Sequence, residues 1–369
     1  MQSTTPTWKK LRPDKAQPII DRRIWPRRLI ICAVRCYSPH GLKDVFPSDN
    51  HLFLPAGSIN ASISKKAVIE RDRIMQDKLD RRSFVKTASA ATAGLGALHL
   101  AVPHVWAAPL AKGAPSAEKL GWRLGCQAYS FNRFSFFEAV DKTASLGLKY
   151  IEAYPGQVLY KGSSARMGRE LTADQRKEVK KKLADSGVKL VNFGVGGCGR
   201  ADFEFAKDMG IETLVSEPDF KLLDEVDKLV EEYGINVALH NHPKPSRYWN
   251  PDIVLEQCKG RSKRIGACAD TGHWMRSGLV PLECVKKLEG RIISFHFKDL
   301  NQMGGGHDVP WGTGKGDVKA VLAEVHRQGL KAVFSIEYEH NWENSLPEIA
   351  QCVEFFEQVA ADLLAKKKV

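Results

Sequence analysis

What this chain lacks narrows the field before any motif is read. None of its eight cysteines forms a CxxC pair, and they show no regular interval. That argues against a structural zinc site or a disulfide-stapled scaffold. Cys32 and Cys36 lie far upstream, and Cys126, Cys198, Cys258, Cys268, Cys284 and Cys352 are scattered, so they read as free, mostly buried thiols. A long apolar run is missing too. The best stretch, Ala88 to Val102, is about 15 residues with glycines in it, short of the roughly 20 that a spanning helix needs. The body of the chain also lacks a positive surplus. The formal charge is +12, but residues 1–74 hold 14 Lys and Arg against 6 Asp and Glu, and residues 75–107 carry a further surplus of 2. Only +2 remains beyond Ala107. A domain so near neutrality has no polyanion footprint, which excludes nucleic acid as a partner.

The basic excess belongs to a leader. From Met75 the sequence passes through Arg81-Arg82-Ser83-Phe84-Val85-Lys86, the apolar stretch, and Val105-Trp106-Ala107, a small-x-small cleavage pattern. This order resembles a twin-arginine export signal over 75–107, implying export of an already folded chain and a periplasmic location. Residues 1–74 show proline scatter and no sustained periodicity. They read as a start-site artefact or a disordered extension, with Met75 as the true start. Residues 108–120 read as linker.

From Gly121 short apolar runs alternate with amphipathic segments. The strand candidates are Leu124–Tyr129, Tyr150–Tyr154, Leu190–Val195, Thr213–Glu217, Val237–His242, Ile265–Asp270, Ile292–Lys298 and Val333–Glu339. Helical stretches such as Phe136–Leu146, Thr172–Ser186, Leu222–Tyr233 and Val318–Gln328 lie between them, each followed by a glycine stop. Eight such units in roughly 250 residues predict a single (β/α)8 TIM barrel over 121–369, an α/β fold preceded by the leader.

Side chains alternate inward and outward along a strand. The register that includes each terminal polar residue points Glu152, Glu217, His240, His242, Asp270, His296, Lys298, Glu337 and Glu339 inward. The earlier inward positions, such as Val215, Ala238, Cys268 and Val333, are apolar. A core that turns polar at the C-terminal ends of its strands is how such barrels build sites. Ionisable groups at this density need a cation or one another. His240, Asp270, His296 and Glu337 come from four successive strands, and mixed imidazole and carboxylate donors suit Mn²⁺ or Zn²⁺ best. Co²⁺, Fe²⁺ and Mg²⁺ are alternatives, and Ca²⁺ fits less well.

Four pieces carry a family resemblance: ADTGHW (Ala269–Trp274), HFKD (His296–Asp299), SIEYE (Ser335–Glu339) and VPWGTG (Val309–Gly314). Together they resemble the xylose-isomerase-like barrels, which include sugar epimerases, inosose dehydratases and an apurinic endonuclease branch. In the epimerases the ligands are Glu, Asp, His and Glu from strands five to eight, which implies Asp270, His296 and Glu337 here. Strand five departs, because His240 stands at the family's Glu position. Either His240 ligates while Glu217 takes over proton transfer, or Glu217 itself reaches the metal. The resemblance casts His273 as a contact to a substrate hydroxyl, with a hydrogen bond to a metal ligand as the alternative. The inward Lys298 would touch a substrate oxygen or pair with Glu337 or Glu339.

Aromatics follow the strand ends: Trp249, Trp274, Trp311 and Trp342, with Tyr129, Tyr154 and Tyr248. Such rings stack on sugar C–H faces, or else pack an interface in a homo-oligomer. Glu152, His273, Lys298, Tyr129 and the four tryptophans are thus the substrate-binding candidates, and Glu217, Glu337 and His242 the catalytic ones. The expected activity is isomerisation or epimerisation of a small-molecule sugar or keto-sugar. A proton next to a carbonyl is removed, and one divalent ion stabilises the enediolate. Two alternatives compete: a lyase or dehydratase acting on a keto-sugar or 3-keto-glycoside, and a non-catalytic exported carbohydrate binder. The endonuclease branch needs an Asp-x-His after strand seven, where this chain reads His307-Asp308-Val309-Pro310-Trp311.

Overall fold

A computed structural model describes residues 111–366. The expected extension (1–74) and twin-arginine segment (75–107) lie outside the described residues. Eight parallel strands close a barrel in sequence order: β1 Arg123–Gln127, β2 Tyr150–Ala153, β3 Lys189–Gly196, β4 Thr213–Ser216, β5 Asn236–His240, β6 Ile265–Asp270, β7 Ile292–Phe297 and β8 Val333–Ile336. Pairing of β1 with β8, from Arg123 opposite Val333 to Cys126 opposite Ile336, closes it. The single (β/α)8 barrel is therefore the observed fold.

The helices are α1 Pro115–Leu120, α2 Phe136–Ser145, α3 Ala173–Asp185, α4 Arg200–Met209, α5 Leu223–Tyr233, α6 Pro251–Cys258, α7 Thr271–Arg276, α8 Pro281–Lys287, α9 Val318–Arg327 and α10 Leu346–Lys366. Their starts are chemically marked. Ser135 with Glu138, and Thr172 with Gln175, form reciprocal capping boxes on α2 and α3. The segment read as linker ends early. Pro115 opens α1, Gly121 closes it at φ 81°, and the Glu357 carboxylate on α10 accepts the Ser116 N–H at 2.8 Å.

Six of the eight strands end one to three residues sooner than the apolar runs imply, while β6 ends at Asp270 as expected and β3 runs one residue further, to Gly196. Tyr129, Tyr154, Glu217, His242, Lys298 and Glu337 to Glu339 all follow the last ladder residue of their strand. Loops, not strands, therefore carry much of the mouth. Between barrel and helices sits an apolar shell in which Phe295 stacks on Phe334 at 4.6 Å and Trp311 meets Phe297 edge-on at 4.9 Å. A small separate apolar cluster is formed by Val215, Ala238 and Cys268, with Val195 and Ile293 packed against it. All six cysteines from Cys126 onward are free and buried, as expected.

The interior turns polar deeper than the alternation implies. Glu152, Asn192, Ser294 and Ser335 are buried. Glu152 accepts from Ser335 Oγ at 2.7 Å and from Asn192 Nδ2 at 3.3 Å, so this carboxylate has partners below the mouth.

The VPWGTG segment is held by one buried carboxylate. Asp299 accepts the N–H groups of Gly312 and Gly314, both at 3.0 Å, and that of Gly316 at 2.9 Å. A Cβ on Gly314 would stand 2.3 Å from Asp299 Oδ1, so glycine is required for the backbone to wrap this closely. Asp299→Ala leaves three N–H groups without their acceptor and should cost about 2–4 kcal/mol, read as a lowered urea midpoint. Asp299→Asn should cost less. An alanine variant with an unchanged midpoint would show that the loop does not depend on this anchor.

Candidate metal centre and mouth

Consecutive strands deliver the central groups. His240 ends β5, Asp270 ends β6, His296 lies in β7, and Glu337 follows β8. All four are buried, and one donor atom from each lies within 4.8 Å of the others. His240 Nε2 is 3.5 Å from Asp270 Oδ2, and His296 Nδ1 is 3.0 Å from Glu337 Oε2. Neither of those ring nitrogens makes a hydrogen bond among the described residues, although both are buried.

The opposite face of each ring explains this. His296 Nε2 meets Glu152 Oε1 at 2.7 Å, and His240 Nδ1 meets Glu217 Oε1 at 3.0 Å. A carboxylate only accepts, so the ring nitrogen facing it carries a proton. Burial opposes charge on His296, yet Cys268, Glu152 and Glu337 around the ring hold its pKa well above the ordinary value. A divalent ion at the cluster would take the forward nitrogens as lone-pair donors in place of protons. Two such nitrogens and two carboxylates converge on one point, and carboxylate-backed imidazole is how metal-binding histidines are oriented. The donor set fits a divalent ion of the Mn²⁺ or Zn²⁺ kind.

Charge within the cluster is balanced locally. Lys298 Nζ contacts Asp270 Oδ2 at 2.9 Å, Glu337 Oε2 at 2.7 Å and Glu339 Oε2 at 3.1 Å. Burial works against its ammonium, yet these acids hold the Lys298 pKa well above the ordinary value. Burial likewise works against the carboxylates. Even so, His273 and Lys298 keep Asp270, and His296 and Lys298 keep Glu337, well below the usual carboxylate range. Asn241 fixes the backbone of Asp270 from both sides, donating to its carbonyl and accepting its N–H, each at 2.9 Å.

Glu217 stands at the outer edge of the cluster. Its Oε1 receives His240 Nδ1, the His242 backbone N–H at 3.2 Å, and a short contact from His242 Nδ1. It therefore sits behind His240, on the side away from the four-donor cluster. Burial would raise its carboxyl, but the hydrogen bonds from His240 and His242 outweigh that and hold it far below the ordinary value. The His242 side chain is 47% exposed and lines the opening.

His273 is brought to the same place. Its backbone N–H caps Asp270 Oδ1 at 2.7 Å, and its Nε2 lies 3.6 Å from Asp270 Oδ2. Behind it stands Arg276, which also contacts Glu339 Oε2 at 2.7 Å and Asp308 Oδ2 at 3.0 Å. Sequence reasoning missed Arg276 and Asp308. Asp270, His273 and Arg276 recur at three-residue intervals, and one face of a helix starting at Asp270 would have shown them together. Asp308 is buried 38 residues past Asp270 in the chain, and only the fold brings it near. Burial outweighs the Lys298 and Arg276 charges and pushes its carboxyl up to about 7.

Three substrate-contact expectations are corrected. Glu152 is 1% exposed and fully engaged with His296, Asn192 and Ser335, so it supports a ligand from below. Trp274 and Trp311 are 1% and 2% exposed and belong to the apolar shell, so their faces are covered. Tyr248 is also buried, donating to the Pro218 carbonyl at 2.8 Å. Their aromatic surface is worth more in the core than at the opening. The rings left at the surface are Tyr129, edge-on to Tyr154 at 5.1 Å and Trp342 at 5.6 Å, and Trp249, with Lys244 Nζ 4.0 Å above it. Lys298 meets Asp270, Glu337 and Glu339, which is the ion-pair alternative.

The family pattern described as xylose isomerase-like TIM barrel matches residues 220–359. A crystal structure of an uncharacterized protein from Parabacteroides distasonis ATCC 8503 is 34% identical, covering 64% of this chain and 99% of that one, with a TM-score of 0.54. A D-tagatose 3-epimerase-like protein shares the fold at 20% identity, covering 67% of this chain and 100% of the other, again at TM-score 0.54. An uncharacterized protein of Methanocaldococcus jannaschii is 32% identical over 131 residues. That match takes in 33% of this chain and spans only 43% of the relative's length. Closed barrel, converging donors and matches agree: the chain belongs to the xylose isomerase-like TIM-barrel family.

Proposed function

We propose that this protein is a divalent-metal-dependent isomerase or epimerase that removes a proton next to the carbonyl of a sugar or keto-sugar. The observation that carries the reading is the pair of buried, unpartnered nitrogens, His240 Nε2 and His296 Nδ1, aimed at the point where Asp270 and Glu337 also converge. His240, Asp270, His296 and Glu337 would hold the ion. When bound it supplies positive charge next to the carbonyl oxygen, stabilising the negative charge that develops as the proton leaves.

The chain's own residues supply the rest. Glu337 and the Glu217–His242 pair stand on different sides of the cluster, which suits removal of a proton on one side and its return on the other. Glu217 is tied to both histidines, so His242, on the open side, is the member of that pair that reaches a substrate. His273 presents an N–H group to an oxygen atom, while Lys298 is held by Asp270, Glu337 and Glu339. The exposed ring of Tyr129, with Trp342 beside it, offers a face to sugar C–H groups. The D-tagatose 3-epimerase-like relative supports the substrate class at the level of fold. If a β-substituent departs after the same first step, the enzyme is a lyase or dehydratase. The exposure of His242 leaves it free to protonate a leaving group.

The paired arginines Arg81-Arg82 and the apolar run behind them further support export by the twin-arginine route to the periplasm. Six buried free thiols agree with a chain that folds before it is exported. Among the described residues no helix is long and apolar enough to cross a membrane.

Three outcomes are expected. Purified protein reconstituted with Mn²⁺ or Zn²⁺ should hold about one ion per chain by elemental analysis, and Asp270→Ala should lose it. Equal metal content in that variant would remove the ligand assignment. Glu217→Gln should keep the metal and lose about 10²–10⁴ in the rate of substrate C–H exchange in D₂O, with His240→Ala losing the metal. If the two metal results are reversed, Glu217 is the ligand. N-terminal sequencing of native protein should give a mature chain beginning near Ala108. A cytosolic product that retains residues 75–107 would rule out export.

A further inference from the structure

The three buried histidines around the cluster differ in what stands behind them. His240 and His296 are each backed by a carboxylate, which holds a proton on the rear nitrogen and turns the other nitrogen toward the cluster. His273 is backed by a cation. Arg276 Nη1 lies 2.9 Å from His273 Nδ1, and a guanidinium can only donate. Nδ1 must therefore accept, and the ring proton sits on Nε2, the nitrogen on the Asp270 side. Arg276 has little freedom to leave. Its Nη1 also donates to Glu339 Oε2 at 2.7 Å and its Nη2 to Asp308 Oδ2 at 3.0 Å, the latter 1% exposed.

We infer that Arg276 is a positioning residue that keeps His273 an N–H donor toward the mouth and keeps it out of the metal's coordination sphere. The same ring backed by a carboxylate would present a lone pair and join His240 and His296 as a ligand. Backed by Arg276, it can serve only an acceptor, such as the hydroxyl or carbonyl oxygen of a substrate. The substrate contact rests on the function proposed above, whereas the proton's position on the ring does not. This role accounts for Arg276 standing between His273 and the two acids Glu339 and Asp308. Glu339 and Asp308 hold the guanidinium behind the ring, and Lys298 shares Glu339 Oε2 with it at 3.1 Å.

Nitrogen-15 NMR of the full chain with labelled histidine tests this, assigning His273 by the signal lost in His273→Gln. In the wild-type protein His273 should show a protonated Nε2 and an unprotonated Nδ1. Adding Zn²⁺ should shift His240 Nε2 and His296 Nδ1 and leave His273 Nε2 protonated. In Arg276→Gln, whose side chain can accept from Nδ1–H, the proton should move to Nδ1, and Zn²⁺ should then shift His273 Nε2 as well. Arg276→Lys keeps a donor behind the ring and should restore the wild-type pattern. A wild-type His273 protonated on Nδ1, or coordinated by Zn²⁺, overturns the assignment, as does an Arg276→Gln spectrum identical to wild type. If the variants do not fold, the wild-type spectrum alone decides. If Zn²⁺ shifts no histidine, the metal proposal fails while the role of Arg276 still stands or falls on the wild-type proton position.

Discussion

The hydrogen bond between Glu152 and His296 is the constraint on which the mouth depends. An anion buried at the centre of a barrel is costly unless both of its oxygens find donors. Glu152 meets that requirement with Ser335, Asn192 and His296, contributed by β8, β3 and β7. One carboxylate thus ties together three strands and fixes the plane of the His296 ring. Because Glu152 occupies Nε2, Nδ1 is left to face Glu337 and the rest of the cluster. Glu217 repeats the device one layer higher for His240, with the two ring nitrogens exchanged. The repetition matters, because both imidazoles then turn their other ring nitrogen toward the same small volume.

Around that volume the charges are arranged to be mutually dependent. Asp270 and Glu337 share the Lys298 ammonium, and Glu339 shares both Lys298 and Arg276. Lys298 has no exposure, so its charge persists only because three carboxylates surround it. Removing any one acid would change the charge that both Lys298 and the remaining acids meet in a low-dielectric interior. Neutralising substitutions here act on several partners at once, and their effects will not add.

Much of this was legible in the sequence, and the limits follow physical lines. Periodicity located all eight strands because each buried run is short, apolar and bounded by a glycine or a polar turn. It overshot their C-terminal ends, since Tyr129, Glu217, His242 and Lys298 continue the alternation after the ladder has stopped. Alternation also placed His240, Asp270, His296 and Glu337 on the inner face, and strand order made them neighbours. Alternation cannot report depth, so Glu152 looked like a mouth residue although it lies beneath one. Nor does it report which aromatic faces are covered, and Trp274 and Trp311 went to the core. Arg276 escaped because it stands on a helix beyond a strand end, and its partner Asp308 comes from another loop.

Depth also bears on what the opening can recognise. Once Trp274, Trp311 and Tyr248 are assigned to the interior, the remaining aromatic surface divides into two groups. Tyr129, Tyr154 and Trp342 follow β1, β2 and β8, while Trp249 follows β5 with Lys244 above it. The acid and base groups nearest solvent, Glu217 and His242, come from the β4 and β5 side. A ring stacked on Tyr129 would therefore lie across the cluster from His242, its reacting carbon between that histidine and Glu337. Under the proposed function, a substrate held by one apolar face with an oxygen turned toward His273 would meet the needs of stacking and of proton transfer together. Orientation of this kind depends on loop residues after the strands, which vary readily within one barrel architecture. Under the proposed function, the choice of substrate would lie in those loops and the chemistry in the strand ends beneath them.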